Sequence, residues 1–220
     1  KPHFELMCEH LKRVIQICKK YNFKPMIWSD MFFRIAFHTY YVDHGEIPSE
    51  VIKLVPKNLS LVYWDYYQTD NKVYDGMIES YQKIGNPLSF AGGAWRWGGF
   101  MPQNRFSLNA SRLALDSCIA HGVDDIAVTA WGDNGGECSR FAVLPALCYA
   151  SELLNGNDSI DAAKAKLKAL TGMEFDDFML LDKLNTPSDK LRDNPSKYLL
   201  YCDPFMGIFA AHITEGVTAY

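Results

Sequence analysis

The sequence is short of the features that usually declare a protein's chemistry. It has no G-x-S-x-G elbow, no P-loop, no G-x-G-x-x-G and no H-E-x-x-H, which removes the commonest serine-hydrolase, nucleotide-binding and zinc-protease readings. No stretch approaches the roughly 18 apolar residues of a membrane span. Basic charge is not in surplus: 22 Lys and Arg against 26 Asp and Glu leave −4, with the cations scattered, so nucleic-acid binding through a basic face is not expected. The six cysteines (Cys8, Cys18, Cys118, Cys138, Cys148 and Cys202) form no C-x-x-C pair and keep no regular spacing. They read as buried thiols and fit a reducing, cytoplasmic compartment. His38 and His44 have no third ligand at metal-site spacing, so neither a metal nor another cofactor is expected. The opening Lys1-Pro-His-Phe-Glu5 has no apolar signal region and no initiator Met. The chain is therefore expected to begin inside a longer protein.

Aromatic residues, by contrast, are plentiful: 13 Phe, 12 Tyr and 5 Trp. With 48% hydrophobic and 22% charged residues, they provide for a well-packed core and argue against disorder. The length of 220 residues suits one substantial domain, yet falls short of the roughly 250 of a complete (β/α)8 barrel.

Apolar periodicity predicts a first helix, with Phe4, Met7, Leu11, Val14, Cys18 and Tyr21 on one stripe and Asn22 as its stop. Strands are predicted over 25–29, 59–64, 87–91 and 125–130, and helices over 72–84, 107–121 and 141–153, with an ambiguous short element at 48–54. Alternating strands and helices imply a parallel sheet. The intervals Trp28 to Trp64, Trp64 to Trp95 and Trp95 to Trp131 are 36, 31 and 36 residues, which are the lengths of βα units. Beyond 153 the texture changes. Residues 155–159 read as a linker with helix-start signals, followed by helices over 160–171, 175–184 and 198–213 without strands between them.

All five tryptophans fall at or just past the C-terminal ends of the predicted strands, beside carboxylates or glycines: Trp28-Ser-Asp30, Tyr63-Trp-Asp65, Gly92-Gly-Ala-Trp95-Arg-Trp97-Gly-Gly99 and Trp131-Gly-Asp133-Asn-Gly-Gly-Glu137. Strand C-termini build the active sites of α/β barrels. Aromatic faces suit the C–H face of a sugar ring, and rigidly held carboxylates suit its hydroxyls. Burying Asp30, Asp65 and Asp133 without function would be costly unless each were paired. A single strand-end Trp is more often core than platform, but the coincidence of five favours a ligand-binding face.

Tyr63-Trp-Asp65, the run Ala130-Trp-Gly-Asp-Asn-Gly-Gly-Glu137 and Val143-Leu-Pro-Ala-Leu-Cys-Tyr-Ala-Ser-Glu152 resemble the β-N-acetylhexosaminidases of glycoside hydrolase family 20, and within it the branch of bacterial exo-β-N-acetylglucosaminidases and hexosaminidase D. The resemblance covers residues 1 to about 153, and the helical tail is similar to the C-terminal helices of the bacterial branch. It implies an α/β fold comprising the C-terminal half of a TIM (β/α)8 barrel, strands 5 to 8, over 1–153, and a helical region over 154–220. It implies retaining, substrate-assisted hydrolysis of terminal β-linked GlcNAc or GalNAc. The family's acid and polarising residues form an adjacent Asp-Glu pair, and this sequence contains no Asp-Glu dipeptide. The pair is expected upstream of Lys1, so the missing N-terminal half of the enzyme is an expected partner and the 220 residues alone are expected to be inactive.

Carried over by position, Tyr63 is the expected catalytic residue, its hydroxyl bonding the acetamido oxygen. The expected substrate-binding residues are Trp28 (acetamido pocket wall), Asp65 (sugar hydroxyls), Trp95 (aglycone side or packing), Trp131 (stacking under the sugar), and Asp133 or Glu137 (the O4 and O6 hydroxyls). Where many family members have Glu two residues past the stacking Trp, this chain has Asp133. Two further readings remain open: a non-catalytic glycan-binding module, and a sugar-directed barrel hydrolase of different linkage specificity.

Overall fold

The computed structural model describes residues 2–41, 47–133, 135–185, 200–201 and 205–207. The element order is α1 (His3–Lys20), β1 (Met26–Trp28), α2 (Asp30–Phe37), α3 (Ser49–Leu54), β2 (Ser60–Trp64), α4 (Asn71–Ile84), β3 (Leu88–Gly93), α5 (Asn104–Ala120), β4 (Asp125–Thr129), a 3-10 turn (Arg140–Val143), α6 (Leu144–Leu154), α7 (Ile160–Thr171), α8 (Phe175–Leu180) and a second 3-10 turn (Leu181–Leu184). The strands form one parallel sheet in chain order, β1-β2-β3-β4. Trp28 lies opposite Val62, and Trp64 opposite Ala91. Strand–helix alternation therefore produces the parallel α/β arrangement that the sequence pattern predicts.

Two compact units make up the chain: Lys1–Gly92 with Leu113–Ala127, and Gly93–Arg112 with Val128–Tyr220. In the first, side chains alternate between the sheet faces along each strand. Leu61, Tyr63, Phe90, Ile27, Leu88 and Ile126 enter the helix-side core with Phe4, Cys8 and Leu11 of α1 and Tyr74, Met77, Ile78 and Tyr81 of α4. On the opposite face, Met26, Trp28, Val62, Ser89, Ala91, Asp125 and Ala127 line a concave space of about 380 Å³. Ser89 donates its hydroxyl to Asp125 there at 2.5 Å.

The local grammar is orderly. Asp70 caps α4 by accepting from the Lys72 N–H at 3.0 Å, and Gly85 ends it in the left-handed region at φ 78°. The stripe of α1 differs slightly from the predicted one. Cys8 and Leu11 are buried and Ile15 packs on the core, while Tyr21 is exposed. The helix α2 is missing from the sequence reading; it is only eight residues long, follows β1 directly and has no side-chain cap at its start.

In the second unit, Ala94, Val143 and Ala146 form a small buried cluster with Val128 and Leu147 packed against it. Ser159 caps α7 by accepting from the Ala162 N–H at 3.2 Å, as the linker signal predicts. The helix predicted over 175–184 is α8 followed by a 3-10 turn. The one predicted over 198–213 lies largely outside the described residues. Cys202 lies outside them too; the other five cysteines are free thiols.

Candidate functional site

Asp65 sits just past β2, where its backbone N–H donates to the Ala91 carbonyl at 3.2 Å and so extends the ladder. Its side chain is 1% exposed. Oδ2 accepts from the Tyr63 hydroxyl at 3.0 Å, and Oδ1 accepts from the Tyr67 N–H at 3.0 Å. The half-buried Gln68 and the exposed Tyr41 also hydrogen-bond it. Burial pushes the Asp65 carboxyl above the usual carboxylate range, and these donors only partly oppose the shift.

Tyr63 is fully buried. Strand alternation sends it to the helix side with Leu61, among Tyr40 at 6.3 Å, Tyr74 at 6.5 Å, and Tyr81 and Phe90 at 5.3 Å. Burial and the neighbouring Asp65 charge hold its hydroxyl well above the ordinary phenol range. In this chain the Tyr63 hydroxyl is bonded to the Asp65 carboxylate.

Trp28 points the other way, into the open face of the sheet, and is 43% exposed. Trp64 is half-buried and packs against the core that holds Tyr40, the two ring centroids 5.3 Å apart. Its Nε1 donates to Asp30 Oδ1 at 3.1 Å, while Asp30 Oδ2 receives the Arg34 Nε at 2.8 Å. Tyr40 closes the group by donating its hydroxyl to the Trp64 carbonyl at 2.7 Å. Asp30 is thus paired, as its partial burial requires.

The second unit holds the other predicted residues. Trp131 (38% exposed), Asp133 and Glu137 all stand open to solvent on the loop after β4. Asp133 therefore carries no burial cost, contrary to the sequence-based premise. The loop is gathered by Arg96, a buried residue that the sequence reading does not select. Its Nε and Nη2 donate to the Cys138 carbonyl at 3.1 and 2.6 Å, and its Nη1 donates to the Trp131 carbonyl at 3.1 Å. Weaker bonds reach Ala130 and Gly136.

Two glycines make this possible. A Cβ on Gly132 would meet the Arg96 guanidinium at 3.1 Å, and one on Gly135, at φ +96°, would meet the Glu137 carboxylate at 2.6 Å. Cys138 lies beneath the loop. Burial raises its thiol to about 11, too high for a neutral-pH nucleophile.

Trp95 and Trp97 pack within the second unit. They are 6% and 7% exposed and stack on each other with centroids 4.6 Å apart, while Phe106 meets the Trp95 ring edge-on at 5.2 Å. Of the five tryptophans only Trp28 and Trp131 present an open ring, and Trp64 is intermediate. The sequence signal for Arg96 is its place between two tryptophans flanked by glycine pairs. Tyr41 carries no comparable signal, because only the folded chain brings it to Asp65.

Comparison with curated proteins finds no match. Comparison with family models finds one: residues 176–220 match the Glycoside Hydrolase 20C C-terminal domain. A glycoside hydrolase family implies glycan substrates in general, which is the ligand class that open aromatic rings beside carboxylates accommodate. By this match, the C-terminal part of the chain is similar to the C-terminal domain of glycoside hydrolase family 20C.

Proposed function

We propose that this chain is the second half of the catalytic barrel (1–153) and the helical region (154–220) of a retaining exo-β-N-acetylhexosaminidase acting on terminal β-linked GlcNAc or GalNAc. The observation that carries the reading is that the family match follows, in one chain, a parallel sheet whose last strand runs into exposed Trp131, Asp133 and Glu137. In this reading the substrate's own acetamido oxygen attacks the anomeric carbon and gives an oxazolinium ion. The acid and the polarising carboxylate come from an Asp-Glu pair upstream of Lys1, in the other half of the barrel. Trp131 stacks under the sugar, Asp133 or Glu137 takes its outer hydroxyls, Trp28 walls the acetamido pocket, and Asp65 orients the ring with Tyr63 behind it. A cytoplasmic location belongs to the same reading.

The test is release of nitrophenol from an aryl N-acetyl-β-glucosaminide. The natural full-length protein should release it and the 220 residues alone should not. Release by the 220 residues would refute the division of catalytic groups. A glycan-binding module is the second reading, favoured by the absence of any Asp-Glu dipeptide here. Binding of GlcNAc by the full-length protein without hydrolysis would decide for it.

A further inference from the structure

The loop between β3 and α5 is fastened at its far end by the C-terminal part of the chain. Asp182, 1% exposed, accepts from the Asn104 and Arg105 backbone N–H groups at 2.9 and 2.7 Å. These are the first amides of α5, which lack partners inside the helix. An N-cap side chain normally supplies the acceptor locally. Here Gln103 precedes the helix, and the carboxylate comes from 77 to 78 residues away. Asn185 completes the grip. Its N–H donates to the Asp182 carbonyl at 3.0 Å, and its side-chain amide donates to the carbonyls of Met101 and, at 3.4 Å, Pro102.

The first turn of α5 in turn sets the loop. The Trp95 N–H donates to Ser107 Oγ at 2.8 Å, the Gln103 N–H donates to the Trp95 carbonyl at 3.0 Å, and Ser107 Oγ donates to the Gln103 carbonyl at 2.8 Å. The next residue is Arg96, whose guanidinium gathers the carbonyls of Trp131 and Cys138. One continuous set of bonds therefore runs from the C-terminal segment to the loop after β4.

We propose that Asp182 and Asn185 are positioning residues for the substrate face. By fixing the first turn of α5 they fix Trp95 and Arg96, and so hold the loop that presents Trp131, Asp133 and Glu137. As a claim about substrate, this rests on the proposed function. As a claim about the loop, it stands on the bonds alone. It gives the C-terminal segment a role in the site although none of its residues is placed on the ligand.

The test uses the natural full-length protein carrying Asp182→Ala, Asp182→Asn or Asn185→Ala, with Leu167→Ala as comparator. Leu167 is a buried residue of α7 outside this set of bonds. Asp182→Ala and Asn185→Ala should speed amide hydrogen exchange over 130–138 by about tenfold or more. They should raise KM about tenfold while changing kcat less than about threefold. Asp182→Asn retains an acceptor oxygen and should show smaller changes in both. Leu167→Ala should lower the melting temperature and leave both readouts at wild-type values. Unchanged exchange over 130–138 in the Asp182 and Asn185 variants overturns the proposal, as does an equal change in Leu167→Ala. Should Asp182→Ala not fold, Asp182→Asn and Asn185→Ala decide by the same criteria. A wild type that neither binds nor hydrolyses sugar refutes the proposed function, while exchange over 130–138 still decides the positioning.

Discussion

The Tyr63 hydroxyl donates to the Asp65 carboxylate at 3.0 Å, and both side chains are closed to solvent. The tyrosine thus stabilises the ionised form of a carboxylate that burial disfavours. Replacing Tyr63 by Phe removes that donor and leaves the ring packing intact. The expected cost is about 1 kcal/mol of stability, read from urea denaturation. In the full-length protein, steady-state kinetics should show kcat lowered by about tenfold. An unchanged kcat would remove Tyr63 from the catalytic machinery.

Asp65 and Asp182 make a pH prediction with an unusual sign. Both carboxyls are raised above their ordinary value of 3.8 by burial. Between 3.8 and the raised value the folded state binds more protons than the unfolded one, so stability falls as pH rises through that window. The contribution is fully present below 3.8 and is lost above the folded-state value. Asp65→Asn and Asp182→Asn should each flatten the slope of unfolding free energy against pH in the window. A carbon NMR titration should find the Asp65 carboxyl above 3.8.

Arg96→Lys should be far from conservative. The guanidinium reaches the Trp131 and Cys138 carbonyls through separate nitrogens, a fork that a single ammonium cannot span. The expected loss is about 1–3 kcal/mol, seen as a lower melting temperature. Faster exchange should be confined to 130–138 and the flanking turns. Unchanged exchange there would show that other bonds hold the loop.

Trp95 and Trp131 should part company under alanine substitution. Trp95 is buried against Trp97 and Phe106, so its loss should cost about 3–5 kcal/mol. Trp131 is open, so its loss should change stability by less than about 1 kcal/mol. In the full-length protein, sugar affinity should nevertheless fall by about tenfold or more. Calorimetric melting and ligand titration separate the two effects.

The placement of α5 shows what could and could not be read in advance. Ser107 is a good capping residue, and the sequence pattern starts the helix there. The helix begins at Asn104 instead, because Asp182 supplies the acceptor for its first amides. The same holds for Arg96, whose carbonyl partners lie 34 to 42 residues away, and for Tyr41 on Asp65.

By itself the sequence determined the alternation of strands and helices, the parallel sheet and the clustering of aromatics and acids at strand ends. These follow from periodicity, local capping and unit length, which act within a few residues. Only the tertiary structure decided which of those residues are open. A one-residue step along β2 sends Val62 to the open face and Tyr63 into the helix-side core. Stacking buries Trp95 and Trp97, while the Arg96-held loop leaves Trp131, Asp133 and Glu137 exposed. Burial and long-range hydrogen bonding are properties of the folded chain, and here they separate the residues that can meet a ligand from those that hold them in place.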